Sequence, residues 1–293
     1  MSLLSICALN SVFILVCFVK YMKRSVGKIL KSALQQTPLR RALMAYRHIG
    51  LSDADVFIAS YPRSGNTWLR SMLSSCLFGE PIKSFRGKKN EFLPYIGSHR
   101  PAKRVVGDDG RLIKTHEPYR SEYKRAIWIL RDPRDVCVSE YKLALRAQYF
   151  VGDLDEYVRL FVQRSPFQPA NWMAHAQSWA ASPIAGTDRL LPLRFEDMVT
   201  EPDQQLRRIL KFLNVPFTSD MVEKAVRDNT VESMAARHAE FDRTLKDSHA
   251  AAIPAVNRGV AGGWRSQLSP VAVNLLHQNF GVFMREVGYE TSS

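Results

Sequence analysis

Residues 55–60 (DVFIAS) form a short apolar run that stops at Tyr61-Pro62-Arg63-Ser64-Gly65. From Asn66 onward the apolar positions Trp68, Leu69, Met72, Leu73, Cys76 and Leu77 recur at helical spacing. A buried strand, a tight glycine turn and a helix in immediate succession constrain the fold more than any other stretch of the chain. A helix that leaves a strand so abruptly packs back onto the sheet and leads to a parallel crossover.

The rest of the chain repeats the alternation. Segments 111–114, 126–131 (AIWILR) and 190–194 (LLPLR) read as further strands. Asp132-Pro133 opens a helix with proline in its first turn, and 153–163, 171–181, 202–213 and 219–227 are helical by pattern. Ser269-Pro270 caps a last helix that runs to about residue 287. Residues 79–110, rich in Gly, Lys and Pro, read as a long irregular excursion of the kind that is functional or disordered. The fold class expected is α/β: a single domain with a central parallel sheet flanked by helices and a P-loop-like strand–loop–helix nucleotide site.

Charge is unevenly placed. Of a formal net charge of +13, eight cations (Lys20, Lys23, Arg24, Lys28, Lys31, Arg40, Arg41 and Arg47) lie in residues 1–52, which hold no acidic residue, leaving only +5 for the rest. That argues against a nucleic-acid partner and suits a domain with an anionic ligand. Residues 3–19 are apolar apart from Ser5, Asn10 and Ser11, at the short edge of what spans a bilayer, and the cations follow the run. Residues 1–20 therefore read as a membrane anchor and 21–52 as a basic linker lying against anionic headgroups, with the remainder cytoplasmic. The alternative is a helix buried in the fold of a soluble cytoplasmic protein. Four scattered cysteines make no disulfide framework, so a reducing compartment is expected.

The turn Tyr61-Pro62-Arg63-Ser64-Gly65-Asn66-Thr67-Trp68 aims backbone N–H groups at whatever sits before the helix, where phosphate is the natural guest. It is not a Walker A loop, since no Gly-Lys-Ser or Gly-Lys-Thr is present. On its own it also reads as a plain tight turn.

Taken with four further segments, this turn resembles the 5′-phosphosulfate loop (YPKSGTTW) of the sulfotransferases that use 3′-phosphoadenosine 5′-phosphosulfate (PAPS). Lys114-Thr115-His116 is similar to the family's KTH strand end. Residues 131–139 (RDPRDVCVS) are similar to its 3′-phosphate segment, and 193–198 (LRFEDM) to its RYEDM strand end. Residues 258–265 (RGVAGGWR) are similar to its C-terminal RKGxxGDWK loop. The five matches occur in the family's order across residues 55–268, and the resemblance places the sulfotransferase domain at 53–293.

The resemblance implies a base, donor contacts and no metal. His116 would take the acceptor hydroxyl's proton, as suits an imidazole titrating near neutrality. Arg63 would stand where the family's lysine bonds the bridging oxygen. Ser64, Gly65, Asn66 and Thr67 would cradle the 5′-phosphate, and Arg131, Ser139, Arg258 and Gly259 the 3′-phosphate. Trp68, Phe195 and Thr230 would line the nucleoside. The acceptor would be a small molecule, or a glycan or lipid if the anchor is real.

Several residues depart from the family pattern: Arg63 for lysine, Phe195 for tyrosine, Val231 for phenylalanine and Gly263 for aspartate. The family's KxxxTVxxxE dimerisation pattern is absent, so that dimer is not expected. Two rival readings are a phosphoryl transferase and a relative that binds PAP, the bisphosphate product, without turnover.

Overall fold

The computed structural model describes residues 38–82, 93–107, 109–163, 170–244 and 261–291. The apolar run 3–19, Arg258, Gly259 and part of the 79–110 excursion lie outside the described residues. Contacts divide the chain into Met1–Tyr46 and Arg47–Ser293. The first contributes the start of helix α1 (Pro38–His48), and the second holds everything that follows. Among the described residues no helix is long and apolar enough to cross a membrane.

Four parallel strands form the sheet: β1 (Val56–Ser60), β2 (Leu112–Thr115), β3 (Arg125–Leu130) and β4 (Leu190–Arg194), in the order β2-β1-β3-β4. Every residue of β1 and β2 is buried, as expected where helices cover both faces of a parallel sheet. One face packs on a core that includes Phe57, Trp128, Phe161, Trp172, Trp179 and Phe280, and the other on Ile58, Leu69, Leu73, Leu206 and Leu210. The second sheet edge is β4, where Pro192 stands opposite Trp128 with its ring exposed. At the first edge, residues 94–96 lie along β2: Lys114 N–H donates to the Pro94 carbonyl at 2.7 Å, and Ile96 N–H donates to the Lys114 carbonyl at 2.9 Å. Part of the expected 79–110 excursion thus serves as a border to the sheet.

Helices α2 (Asn66–Phe78), α3 (Pro133–Arg146), α4 (Leu154–Gln163) and α5 (Trp172–Ala180) follow the expected segments. The Asp132 carboxylate accepts the Arg134 N–H at 2.9 Å, and Pro133 fills the first turn, where no N–H is needed. Three helices fall outside the sequence expectation: α1, within the expected basic linker, α6 (Phe195–Thr200), a short turn on the end of β4, and α9 (Val231–Thr244). Between them lie α7 (Pro202–Phe212) and α8 (Ser219–Asp228). A 3₁₀ turn, Gly263–Ser266, precedes α10 (Pro270–Glu286), which Ser269 caps by accepting the Ala272 N–H at 3.0 Å.

Candidate active site

The carboxyl ends of β1, β2 and β3 open on one rim, which is where open α/β sheets bind ligands. The turn after β1 is tightly specified. Arg63 has φ +68° and Gly65 φ +90°, and a Cβ on Gly65 would stand 2.5 Å from the Phe195 ring. Ser64 is buried, and its hydroxyl has no hydrogen-bond partner among the described residues. A buried orphan hydroxyl beside a glycine that admits no side chain is what a bound anion requires.

Arg63 and Ser139, 76 residues apart, meet here: the Arg63 Nε–H donates to Ser139 Oγ at 3.0 Å. Arg131, the first residue past β3, donates from Nη1 to the Arg63 carbonyl at 2.8 Å and lays its guanidinium over the Phe195 ring at 4.1 Å. Burial, and next the Arg131 charge, lower the Arg63 pKa to about 10, so it remains a cation at neutral pH. Trp68 meets Phe195 edge-on at 6.2 Å and donates its indole N–H to the Asn229 carbonyl at 2.8 Å. Thr230 immediately precedes α9, and its hydroxyl oxygen accepts the Ser233 N–H at 3.2 Å.

His116 follows β2. Its Nδ1 lies 2.7 Å from the Ser60 carbonyl, which can only accept, so Nδ1 carries the ring proton and Nε2 keeps its lone pair. Burial, then Lys114, His175 and Arg70, hold its pKa well below the ordinary histidine value; the bond to Ser60 acts the other way.

Asn66 does something other than the motif implies. Its side chain is buried and donates to the Ile58 carbonyl at 3.1 Å and to Ser60 Oγ at 3.2 Å, leaving only its backbone N–H for the turn.

Beside His116 lies a cationic cluster of which the motifs contained Lys114 but not Arg70. Lys114 Nζ sits over the Tyr95 ring at 4.4 Å, with the Arg70 guanidinium 5.2 Å from the same ring centre. Arg70 also donates to the Leu93 carbonyl. Burial and the neighbouring Arg70 and Arg63 charges depress the Lys114 ammonium pKa strongly. One signal was available in the sequence: Arg70 interrupts the apolar stripe between Leu69 and Met72.

The C-terminal segment is tied to the same region. The Asp135 carboxylate accepts the N–H groups of Gly262 at 2.7 Å and Trp264 at 2.9 Å, and Arg134 covers the Trp264 ring at 4.0 Å. Among the described residues no group of three or more His, Cys, Asp or Glu side chains converges in a way that could hold a metal.

A family model for the sulfotransferase domain matches residues 53–288. Cytosolic sulfotransferase 17 of Arabidopsis thaliana is 26% identical over 271 residues, covering 81% of this chain and 76% of its own. The flavonol 4′-sulfotransferase of Flaveria chlorifolia is 26% identical over 220 residues, 67% of each chain. A crystal structure of the mouse sulfotransferase SULT7A1 complexed with PAP superposes with a TM-score of 0.63 at 20% identity, covering 83% of this chain and 89% of that one. The chain belongs to the sulfotransferase family, whose members move a sulfuryl group from PAPS to a hydroxyl.

Proposed function

We propose that this chain sulfates a small-molecule hydroxyl, with His116 as base and with the Arg63 turn, Arg131 and Ser139 holding the donor. The observation that carries the reading is the meeting of Arg63, Ser139 and Arg131 on the rim where His116 presents a neutral Nε2. PAPS supplies an activated sulfuryl group on a 5′-phosphate that leaves as part of PAP.

The chain's own residues account for the rest. Ser64 Oγ and the N–H groups of Gly65, Asn66 and Thr67 bind the 5′-phosphate at the start of α2. Ser139 and Arg131 bind the 3′-phosphate, joined by Arg258 and Gly259. Trp68, Phe195 and Thr230 border the nucleoside. His116 takes the hydroxyl proton at Nε2 as the acceptor oxygen bonds to sulfur. Arg63, a fixed cation, holds the charge that gathers on the leaving oxygen as the old sulfur–oxygen bond breaks. Because Arg63 stays protonated through neutral pH, its contribution is electrostatic and not that of a proton donor.

Two features support a free small-molecule acceptor: a relative named for a flavonol, and another named as cytosolic. Membrane attachment through residues 1–20, and with it a lipid- or glycan-borne acceptor, rests on hydropathy and charge alone. Fractionating cells that express the full chain and a variant lacking residues 2–20 tests the attachment.

Calorimetric titration of the full chain with PAP, AMP and ATP in the absence of metal tests the donor site. PAP-selective binding that weakens at least tenfold in Arg131→Ala and Ser139→Ala is expected. Equal binding of the three nucleotides removes the reading. Labelled PAPS with a phenol, a sterol, a sugar and a glycolipid then sorts the acceptors.

A further inference from the structure

We infer that Asn229 and Arg237 are positioning residues that hold the Trp68 indole in place and so set how strictly the site reads the donor's base; the inference rests on Trp68 bordering the nucleoside. The indole N–H donates to the Asn229 carbonyl at 2.8 Å, while Phe195 meets the ring only edge-on. That carbonyl belongs to neither a strand nor a helix. Asn229 and Thr230 are the two-residue link between α8 and α9, with φ −118° and ψ 29° at Asn229. A carbonyl in such a link turns with its ψ angle unless the rest of the residue is held.

The Asn229 side chain does the holding. It is wholly buried, and all its polar atoms are committed. Nδ2 donates to Ser75 Oγ of α2 at 2.9 Å and to the Ala225 carbonyl of α8 at 2.7 Å, and Oδ1 accepts from Arg237 Nη2 at 3.0 Å. Arg237 lies two turns into α9 and reaches back to the link. Its Nη1 donates to the carbonyl of Asp228, the last residue of α8, where a helix leaves its carbonyls without partners. One guanidinium thus grips both the end of α8 and the Asn229 amide. Drawing it partly out of water has a cost that a space-filling contact would not incur.

The base has few other aromatic walls. Val231 stands where the family pattern has phenylalanine, so the placing of the Trp68 face weighs more here. A fixed indole can overlap both rings of an adenine but only the one ring of a pyrimidine. An indole free to tilt meets either base about equally.

The test uses the full chain and two ligands that share both phosphates, PAP and uridine 3′,5′-bisphosphate, titrated by calorimetry. Arg237→Met removes the guanidinium and keeps the stem, whereas Asn229→Ala removes the whole tie. In both, the ratio of the two affinities should fall by about fivefold or more, with the Kd of the uridine ligand within about twofold of wild type. Trp68→Phe keeps a ring but has no N–H to hold, so adding Arg237→Met to it should change the ratio by less than about twofold. The Trp68 indole N–H signal, assigned by its loss in Trp68→Phe, should shift and exchange faster with solvent in Arg237→Met. An unchanged ratio in folded Arg237→Met and Asn229→Ala overturns the inference. So does an equal loss for both ligands, or failure of both variants to fold, either of which makes the tie purely architectural. A further fall when Arg237→Met is added to Trp68→Phe also overturns it, since Arg237 then touches the nucleotide itself. Failure of the underlying reading appears separately: a wild-type ratio in Trp68→Ala means that Trp68 does not border the nucleoside.

Discussion

Gly65 combines two demands at one Cα. Its φ of +90° disfavours any L side chain, and Phe195 occupies the space a Cβ would need. Gly65→Ala should cost about 1–3 kcal/mol of stability from backbone strain alone, read as a lower Tm by calorimetry. PAP affinity should fall at least tenfold with it, because the turn must open to admit the methyl group. Relieving the contact with Phe195→Leu should recover part of the Tm and leave the φ penalty. The need for glycine was legible in the sequence, since a strand running into Ser-Gly before a helix has few conformations open to it. The direction of the Asn66 side chain was not. A motif treats neighbouring loop residues as equivalent donors, whereas the first residue of the helix points its amide back along the strand it has just left. Arg63 was legible as a cation at the rim, but its bond to Ser139 depends on how β1 and β3 lie side by side.

Strands and long helices were read well because burial imposes a period on their sequences. Sheet order was not, since nothing local says that β3 rather than β2 follows β1 across the sheet on its far side. Helix α6 escaped because six residues show less than two turns of pattern. Helix α9 escaped because only its first residue, Val231, was weighed, as a departure on the nucleoside side. Between elements, the Asp135 carboxylate is the tie that matters. It joins α3 to the 3₁₀ turn through two backbone N–H groups, just after the segment that carries Arg258 and Gly259. Asp135→Asn keeps the shape but exchanges one accepting oxygen for a donor. It should lower stability by about 1–3 kcal/mol, seen in urea unfolding, and weaken PAP binding several-fold. Ser139→Ala should weaken PAP binding with little change in the urea midpoint, so the two variants separate tying the segment down from touching the nucleotide.

At the scale of the molecule, two buried histidines, His99 and His175, and the half-buried His116 resist protonation. Burial is the main cause for each, holding His99 at about 4, His175 at about 3 and His116 well below the ordinary value. The unfolded chain takes up these protons near pH 6.5 and the folded chain does not, so stability must fall as pH drops below that value. Each group contributes a slope of about 1.4 kcal/mol per pH unit. Asp135 and Glu196, whose carboxyl pKa values burial raises, oppose the trend only nearer the carboxylate range. Calorimetric Tm should drop more steeply between pH 6.5 and 5 than between 8 and 7, where among these groups only the depressed Lys114 ammonium adds to the slope. His175→Gln should flatten that drop, and an unchanged slope would mean that His175 is protonated in the folded protein. The sheet itself is bounded on both sides. Residues 94–96 occupy the free side of β2, and Pro192 takes a hydrogen-bond donor out of β4. A strand from another molecule therefore finds no clean row of amides to zip onto. A chain this rich in buried β-branched and aromatic strand residues is thereby protected from edge-to-edge aggregation, and the one open side of the sheet is the rim where chemistry takes place.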